Sequence, residues 1–244
     1  MPAGVPEGLE VIGDRDAVEP VALRGECERE QVSRRELLGG CLVAEAQRRD
    51  FVGRRHRLGP MVARPDRWLA LVPVKALPRG KTRLAGVLDE DARGDLVLFM
   101  LRRVVRVCLE AGLDVCVVSP DAEVHAAARA LGADTLDDGG LDLSASVSLA
   151  LECHAAARGV VVLAADLPHV TADDVRELIA HARPLALVAA ADGTTNAIAA
   201  SPPTAFRPSY GPGSAARHGG TRLRLVGIER DLDTPGDLGL ACPG

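Results

Sequence analysis

The sequence predicts a three-layer α/β/α domain around a mostly parallel, mixed sheet, and three observations carry that reading. Apolar runs of strand length alternate with stretches of three-and-four helical spacing from Trp68 onward. Aromatic residues are only 2% of a chain that is 47% hydrophobic, so the core has to be built from Ala, Val and Leu, as where helices pack on a central sheet. Charged residues stand just past the ends of two of the apolar runs, at the edge where open α/β sheets bind ligands.

The elements follow in order. Trp68 to Val74 reads as a buried first strand that empties into a loop. Asp89 caps a helix whose apolar positions Val97, Met100, Leu101, Val104, Val105 and Cys108 share one face, with Gly112 closing it. Val115 to Ser119 is a second strand, Asp121 to Leu131 a second helix stopped by Gly132, and Asp134 to Leu136 a short edge element. A third helix runs from about Asp142 to Ala157, and Gly159 to Ala164 is the expected central strand, ending at Asp166. Thr171 and Asp174 form a capping box, and Leu185 to Ala190 is another apolar strand. The last third changes character: Ala197 to Ala200 is short, Thr204 to Gly220 is loop-like, and the alternation in Arg222 to Ile228 predicts a half-buried, partly antiparallel strand.

Composition limits the function. A net charge of -5 argues against a nucleic-acid partner, which needs a basic face to neutralise phosphates. The six cysteines form no CxxC pair, which suits reduced thiols, and no run has the length of a membrane span, so a cytoplasmic protein with a small-molecule ligand is expected. Residues 1–66 alternate glycine, proline and opposite charges and read as an N-terminal extension, with one charged helix over Glu28 to Asp50; residues 67–244 read as the α/β domain. Met61, just ahead of the first strand, is the expected start of translation, and intact-mass analysis that finds earlier residues rejects this.

Candidate chemistry gathers in four places. Only two lysines occur in the chain, Lys75 and Lys81, and both fall with Arg79 and Arg83 in the loop after the first strand, a set of cations suited to a triphosphate. Asp166, just past the central strand, is well placed as a ligand for Mg2+, a hard ion that takes carboxylates together with substrate phosphates. Asp231 and Asp233 are two residues apart, which on an extended segment puts both carboxylates on one side, and Thr234, Pro235 and Asp237 then start a short helix. Gly193 to Asn196 and Phe206 to His218 supply hydroxyls, glycine amides, Arg217 and His218, a set suited to an anion bearing a phosphate and a carboxylate.

VPVKALPRGKTRLAGVL, VVSPD, LAADLP, GTTNA, FRPSYGPGSAARH and DLDTP occur here in the order seen in the CofC/FbiD guanylyltransferases, and from about Trp68 to Leu240 the chain resembles that family. The resemblance implies a fold of the nucleotide-diphospho-sugar transferase (GT-A-like) type. It also implies an enzyme of coenzyme F-420 biosynthesis that joins GMP from GTP to phosphoenolpyruvate or 2-phospho-L-lactate and releases pyrophosphate. For such a reaction the charges of the residues set the expected roles, catalysis by Lys75, Lys81, Arg83 and Asp166 and Mg2+ binding by Asp166, Asp231 and Asp233, while Thr195, Gly211 and Ser214 match family positions that bind the acceptor phosphate and carboxylate. It further implies a downstream transferase that consumes the product; the oligomeric state, a homodimer included, is open. The alanine-rich, arginine-for-lysine composition favours phosphoenolpyruvate by association with actinobacterial relatives.

Two departures bear on these roles. Asp142 stands where the family more often has asparagine, so guanine specificity comes from the resemblance and not from these residues. GTTN is one residue shorter than the usual GTGTN, which leaves Thr194 and Thr195 both open. A sugar-phosphate or molybdopterin-type nucleotidyltransferase would share the metal logic but carry a GxGTR loop, absent from VPVKALPRGKTR, and a silent nucleotide-binding protein would have lost lysines or carboxylates that are all present.

Overall fold

Period-two burial along the first strand builds the layers. The structure is a computed structural model that describes residues 64–77 and 81–240; the extension over residues 1–63, with its expected helix and Met61, and Arg79 in the lysine loop lie outside these. In β1 (Trp68–Pro73), Ala70 and Val72 enter one apolar cluster and Leu69 and Leu71 the other, so both faces of the strand are covered. On the first face pack α1 (Glu90–Glu110), α2 (Ala122–Arg129) and α4 (Ala172–Ala180), through Leu101, Val124 and Val175 among others. On the second lie α3 (Leu143–Cys153) and the short α5 (Ser214–His218), through Val147, Ala150 and Ala215.

The helices begin where the sequence sets them. Asp89 accepts from the Ala92 N–H at 2.8 Å, and Asp121 accepts from Glu123 and Val124. The capping box at Thr171 is complete, with Thr171 Oγ1 accepting from Asp174 N–H and the Asp174 carboxylate accepting from Thr171 N–H.

The remaining strands are β2 (Asp114–Val118), β3 (Asp134–Leu136), β4 (Gly159–Leu163), β5 (Leu185–Ala189), β6 (Thr195–Ala200) and β7 (Thr221–Leu223). They form one seven-stranded sheet in the order β3-β2-β1-β4-β6-β5-β7. β6 runs antiparallel to β4 and β5, and the other pairings are parallel. β4, buried at every position, pairs with β1 on one side and β6 on the other, as expected of the central apolar run.

The final third corrects the sequence reading. The stretch Arg222 to Ile228 is not one antiparallel strand: β7 is three residues long and parallel to β5, and Val226–Glu229 forms a helical turn, α6. The alternation of arginine and leucine over four residues suggested a strand, but the chain has to turn inward to bury Ile228 completely. It does so at Gly227, where a Cβ would lie 2.7 Å from the His169 carbonyl oxygen and closer still to the Asp174 carboxylate. The loop-like stretch before it also holds order, as α5 and a 3-10 turn at Pro203–Ala205.

Candidate active site

Two segments remote in sequence meet beyond the carboxyl ends of β1 and β4 because they share a small apolar core. Leu84, in the 3-10 turn Thr82–Leu84, and Leu232 are fully buried together with Met100 of α1. Leu232 N–H also donates to the Asp166 carbonyl at 3.1 Å, tying the Asp231 to Asp233 segment to the end of β4. With Leu232 turned into the core, its neighbours Asp231 and Asp233 face the other way, toward Asp166. Leu232→Ala should therefore cost about 2–5 kcal/mol of stability, the usual range for emptying such a site, checked by chemical denaturation.

Carboxylate oxygens of Asp166, Asp231 and Asp233 come within 4.8 Å of one another, an all-oxygen set that could hold a divalent metal ion. The Lys81 ammonium already lies among them, paired with Asp166 and, at 2.8 Å, with Asp233, while Arg83 reaches Asp233 at 3.0 Å. The place is thus built for positive charge. Burial would lower the Lys81 pKa, but the charge and hydrogen bond of Asp166, followed by those of Asp233, outweigh it and raise the value above that of an ordinary lysine. Burial, then the charges of Asp166 and Asp233, raise the Asp231 carboxyl. Lys81 takes a left-handed backbone, φ +49°, at the entry to its turn.

A cleft of about 990 Å³ opens from this charge centre, at the upper end of the usual pocket range of about 300–1,000 Å³. Lys75, Lys81, Arg83, Asp166 and Asp233 line it at one side, Gly140 to Ser144 at another, and Thr195 and Gly211 at a third. Lys75 is exposed on this wall, so both lysines of the chain face one cavity.

The hydroxyl and glycine cluster separates into contacts and braces. Thr195, at the start of β6, is buried, with its Oγ1 at 3.2 Å from Ser214 Oγ and 3.0 Å from His218 Nδ1. Thr194 is half-buried and bonded through its hydroxyl and N–H to Asp192, whereas Thr195 lines the cleft, so the geometry favours Thr195. Ser214 is fully buried and meets the cleft through Thr195, not directly. Gly211 has φ +112°, a conformation open to glycine alone without strain, and its backbone borders the cleft. Arg217 donates to the carbonyls of Ser209, Tyr210 and Pro212, so it braces the loop that carries Gly211. Asn196 likewise donates to the Ile228 carbonyl at 2.9 Å and holds α6 in place.

Asp142 resolves one departure noted above. Its carboxylate accepts from the N–H groups of Ser144 and Ala145 at 2.9 and 3.0 Å, the work of a helix cap, which asparagine performs equally well. Asp142→Asn should change stability by less than about 0.5 kcal/mol and leave nucleotide preference as it is, checked by melting and by competing GTP against ATP and CTP.

Sequence reasoning missed Asp138. It is 8% exposed, lines the cleft, accepts from Gly140 N–H at 3.0 Å and accepts the Ser146 hydroxyl. The only signal was a serine eight residues after the second aspartate of LDDGG, too generic a pattern to single out. Ser144 was missed as well: its Oγ accepts from Tyr210 N–H at 2.9 Å and joins the α3 side of the cleft to the glycine loop.

Similarity to known proteins agrees with this geometry. The family described as "Guanylyl transferase CofC like" matches residues 68–224. A phosphoenolpyruvate guanylyltransferase of Rubrobacter xylanophilus is 42% identical over 69% of this chain and 90% of its own length. That of Sphaerobacter thermophilus is 40% identical over 70% and 90%. Among solved structures, a nucleotidyl transferase from Methanothermobacter thermautotroptrophicus superposes with a TM-score of 0.51 at 17% identity, covering 70% of this chain and 94% of the other. A CMP:2-keto-3-deoxy-manno-octonic acid synthetase complexed with CTP does so with a TM-score of 0.50 at 16% identity, covering 71% and 96%. At such identities these two show a shared α/β fold. Charge centre, cleft and sequence similarity together place the chain in the CofC-like guanylyl transferase family.

Proposed function

We propose that residues 67–244 form a GTP-dependent guanylyltransferase domain that joins GMP to phosphoenolpyruvate, giving enolpyruvoyl-2-diphospho-5'-guanosine and pyrophosphate in coenzyme F-420 biosynthesis. The observation that carries this reading is the cleft bordered by Lys75, Lys81 and Arg83, by Asp166 and Asp233 with Asp231 grouped beside them, and by Thr195 and Gly211, in a chain about 40% identical to phosphoenolpyruvate guanylyltransferases.

The acceptor phosphate is anionic at neutral pH, so its oxygen attacks the α-phosphorus of GTP with no base to remove a proton. One P–O bond forms there as the bond to the β-phosphate oxygen breaks. The barrier is charge repulsion and alignment, and both are tasks for fixed positive charge. Lys75, Lys81 and Arg83 screen the triphosphate and stabilise the departing pyrophosphate. Lys81 has to exchange a carboxylate for a phosphate oxygen as substrate enters, a short swing from Asp233 toward the cleft it already lines. Asp166, Asp231 and Asp233 would hold Mg2+, which would supply positive charge to neutralise the phosphates. Thr195 and the Gly211 loop take the phosphate and carboxylate of the acceptor, with Ser214 supporting Thr195 from behind.

The product carries a high-energy diphosphate and suits immediate use by a deazaflavin transferase in the cytoplasm, where GTP is found. The test is acceptor-dependent pyrophosphate release from GTP and Mg2+. Release with phosphoenolpyruvate is expected. Release with 2-phospho-L-lactate alone would move the acceptor assignment while keeping the chemistry, and release with neither would reject it.

A further inference from the structure

We propose that His218 is a positioning residue of the acceptor subsite, which as the neutral Nδ1–H tautomer makes the Thr195 hydroxyl a hydrogen-bond donor directed at the acceptor anion; this rests on the reading of Thr195 given above.

The tautomer follows from one contact. Ser209 N–H donates to His218 Nε2 at 2.9 Å, and a backbone N–H can only donate, so Nε2 carries the lone pair. The ring proton is then on Nδ1, 3.0 Å from Thr195 Oγ1, and has that oxygen as its acceptor. Thr195 Oγ1 has two lone pairs and one proton. His218 fills one lone pair, and with Ser214 Oγ, 3.2 Å away, as donor to the other, the single Thr195 proton is left for the cleft. An anion requires a donor there. A hydroxyl free to rotate presents a lone pair part of the time, and fixing it in advance removes that loss.

The setting holds the ring in this state. Phe206 and Tyr210 meet the imidazole edge-on, with centroids 5.2 and 4.9 Å away. Burial, then the neighbouring Arg217 charge, lower the His218 pKa below its ordinary value. The groups bonded to the ring among the described residues are a hydroxyl and an amide, with no carboxylate to favour the imidazolium.

The first experiment needs no substrate. Long-range 1H–15N correlation spectra of the full protein, with His218 assigned by its absence in His218→Phe, should show protonated Nδ1 and bare Nε2 at pH 7.5. The same state should persist down to pH 6.5, where an ordinary imidazole is half protonated. The opposite tautomer, or an imidazolium, overturns the proposal. The second is kinetic. His218→Phe keeps the ring packing and should raise KM for phosphoenolpyruvate about tenfold to a hundredfold, the scale of one hydrogen bond to a charged group, with KM for GTP unchanged. His218→Asn, which returns an N–H near the Nδ1 position, should recover part of that loss. On a Thr195→Val background His218→Phe should add less than about twofold. Equal increases for both substrates, or full additivity with Thr195→Val, would overturn it. Because the tautomer is read without turnover, a protein inactive on every acceptor would count against the proposed reaction and leave the spectrum to decide the role of His218.

Discussion

Asp166→Asn should lower turnover at least about a hundredfold at saturating GTP and acceptor, the scale on which a group that organises transition-state charge contributes. Asparagine keeps the shape of the side chain and removes its charge. Two losses follow from the geometry. The three-carboxylate set falls to two charged members, so a divalent ion is held less firmly, and Lys81 loses its closest partner. The fold should survive, because the tie from Leu232 N–H runs to the backbone carbonyl of residue 166 and not to its side chain. Steady-state rates with a circular-dichroism control check this, and the Mg2+ concentration for half-maximal rate should rise in parallel. Near-normal turnover would remove Asp166 from the site.

Lys81→Met should be comparably damaging to turnover, and it separates two roles that activity alone would merge. The Lys81 side chain is 6% exposed, and its ammonium stands between Asp166 and Asp233. Without it, three carboxylates with oxygens within 4.8 Å of one another keep, among the described residues, only the Arg83 ion pair to Asp233. Because Asp233 is 40% exposed and water screens it, the expected loss of stability is modest, about 1–3 kcal/mol. Added Mg2+ should return most of this, raising Tm in the variant more than in the parent protein, since like charges so close need a cation of some kind. A variant as stable as the parent, and no more responsive to Mg2+, would show that Lys81 and the ion do not share these carboxylates.

Most of the sheet was legible because its signals are local. Buried strands such as Gly159 to Leu163 are continuous apolar runs, and caps such as Asp89 and Thr171 declare themselves within four residues. Arg222 to Ile228 misled because its direction was settled by tertiary contact: the close fit of Gly227 against His169 and Asp174 leaves no trace in the local pattern. The charge centre was legible in its members and not in its pairing. The sequence set Lys81 against phosphate and the aspartates against metal, and only the shared burial of Leu84, Met100 and Leu232 shows that the lysine and the carboxylates lie against each other. Similarly, Thr195, Ser214 and His218 could be named as neighbours, but the direction of their hydrogen bonds depends on the Ser209 N–H, a backbone group that sequence does not reveal.

Transfer of GMP from GTP onto phosphoenolpyruvate in this cleft is read by following the label from α-32P GTP. With Mg2+ and phosphoenolpyruvate present, and the deazaflavin transferase added to trap the product, the label should leave GTP and enter a species with the mass of GMP joined to the acceptor through a diphosphate. It should do so much more slowly with Asp166→Asn. Label that stays in GTP, or transfer that proceeds equally well from labelled ATP or CTP or onto a sugar phosphate, would contradict the account.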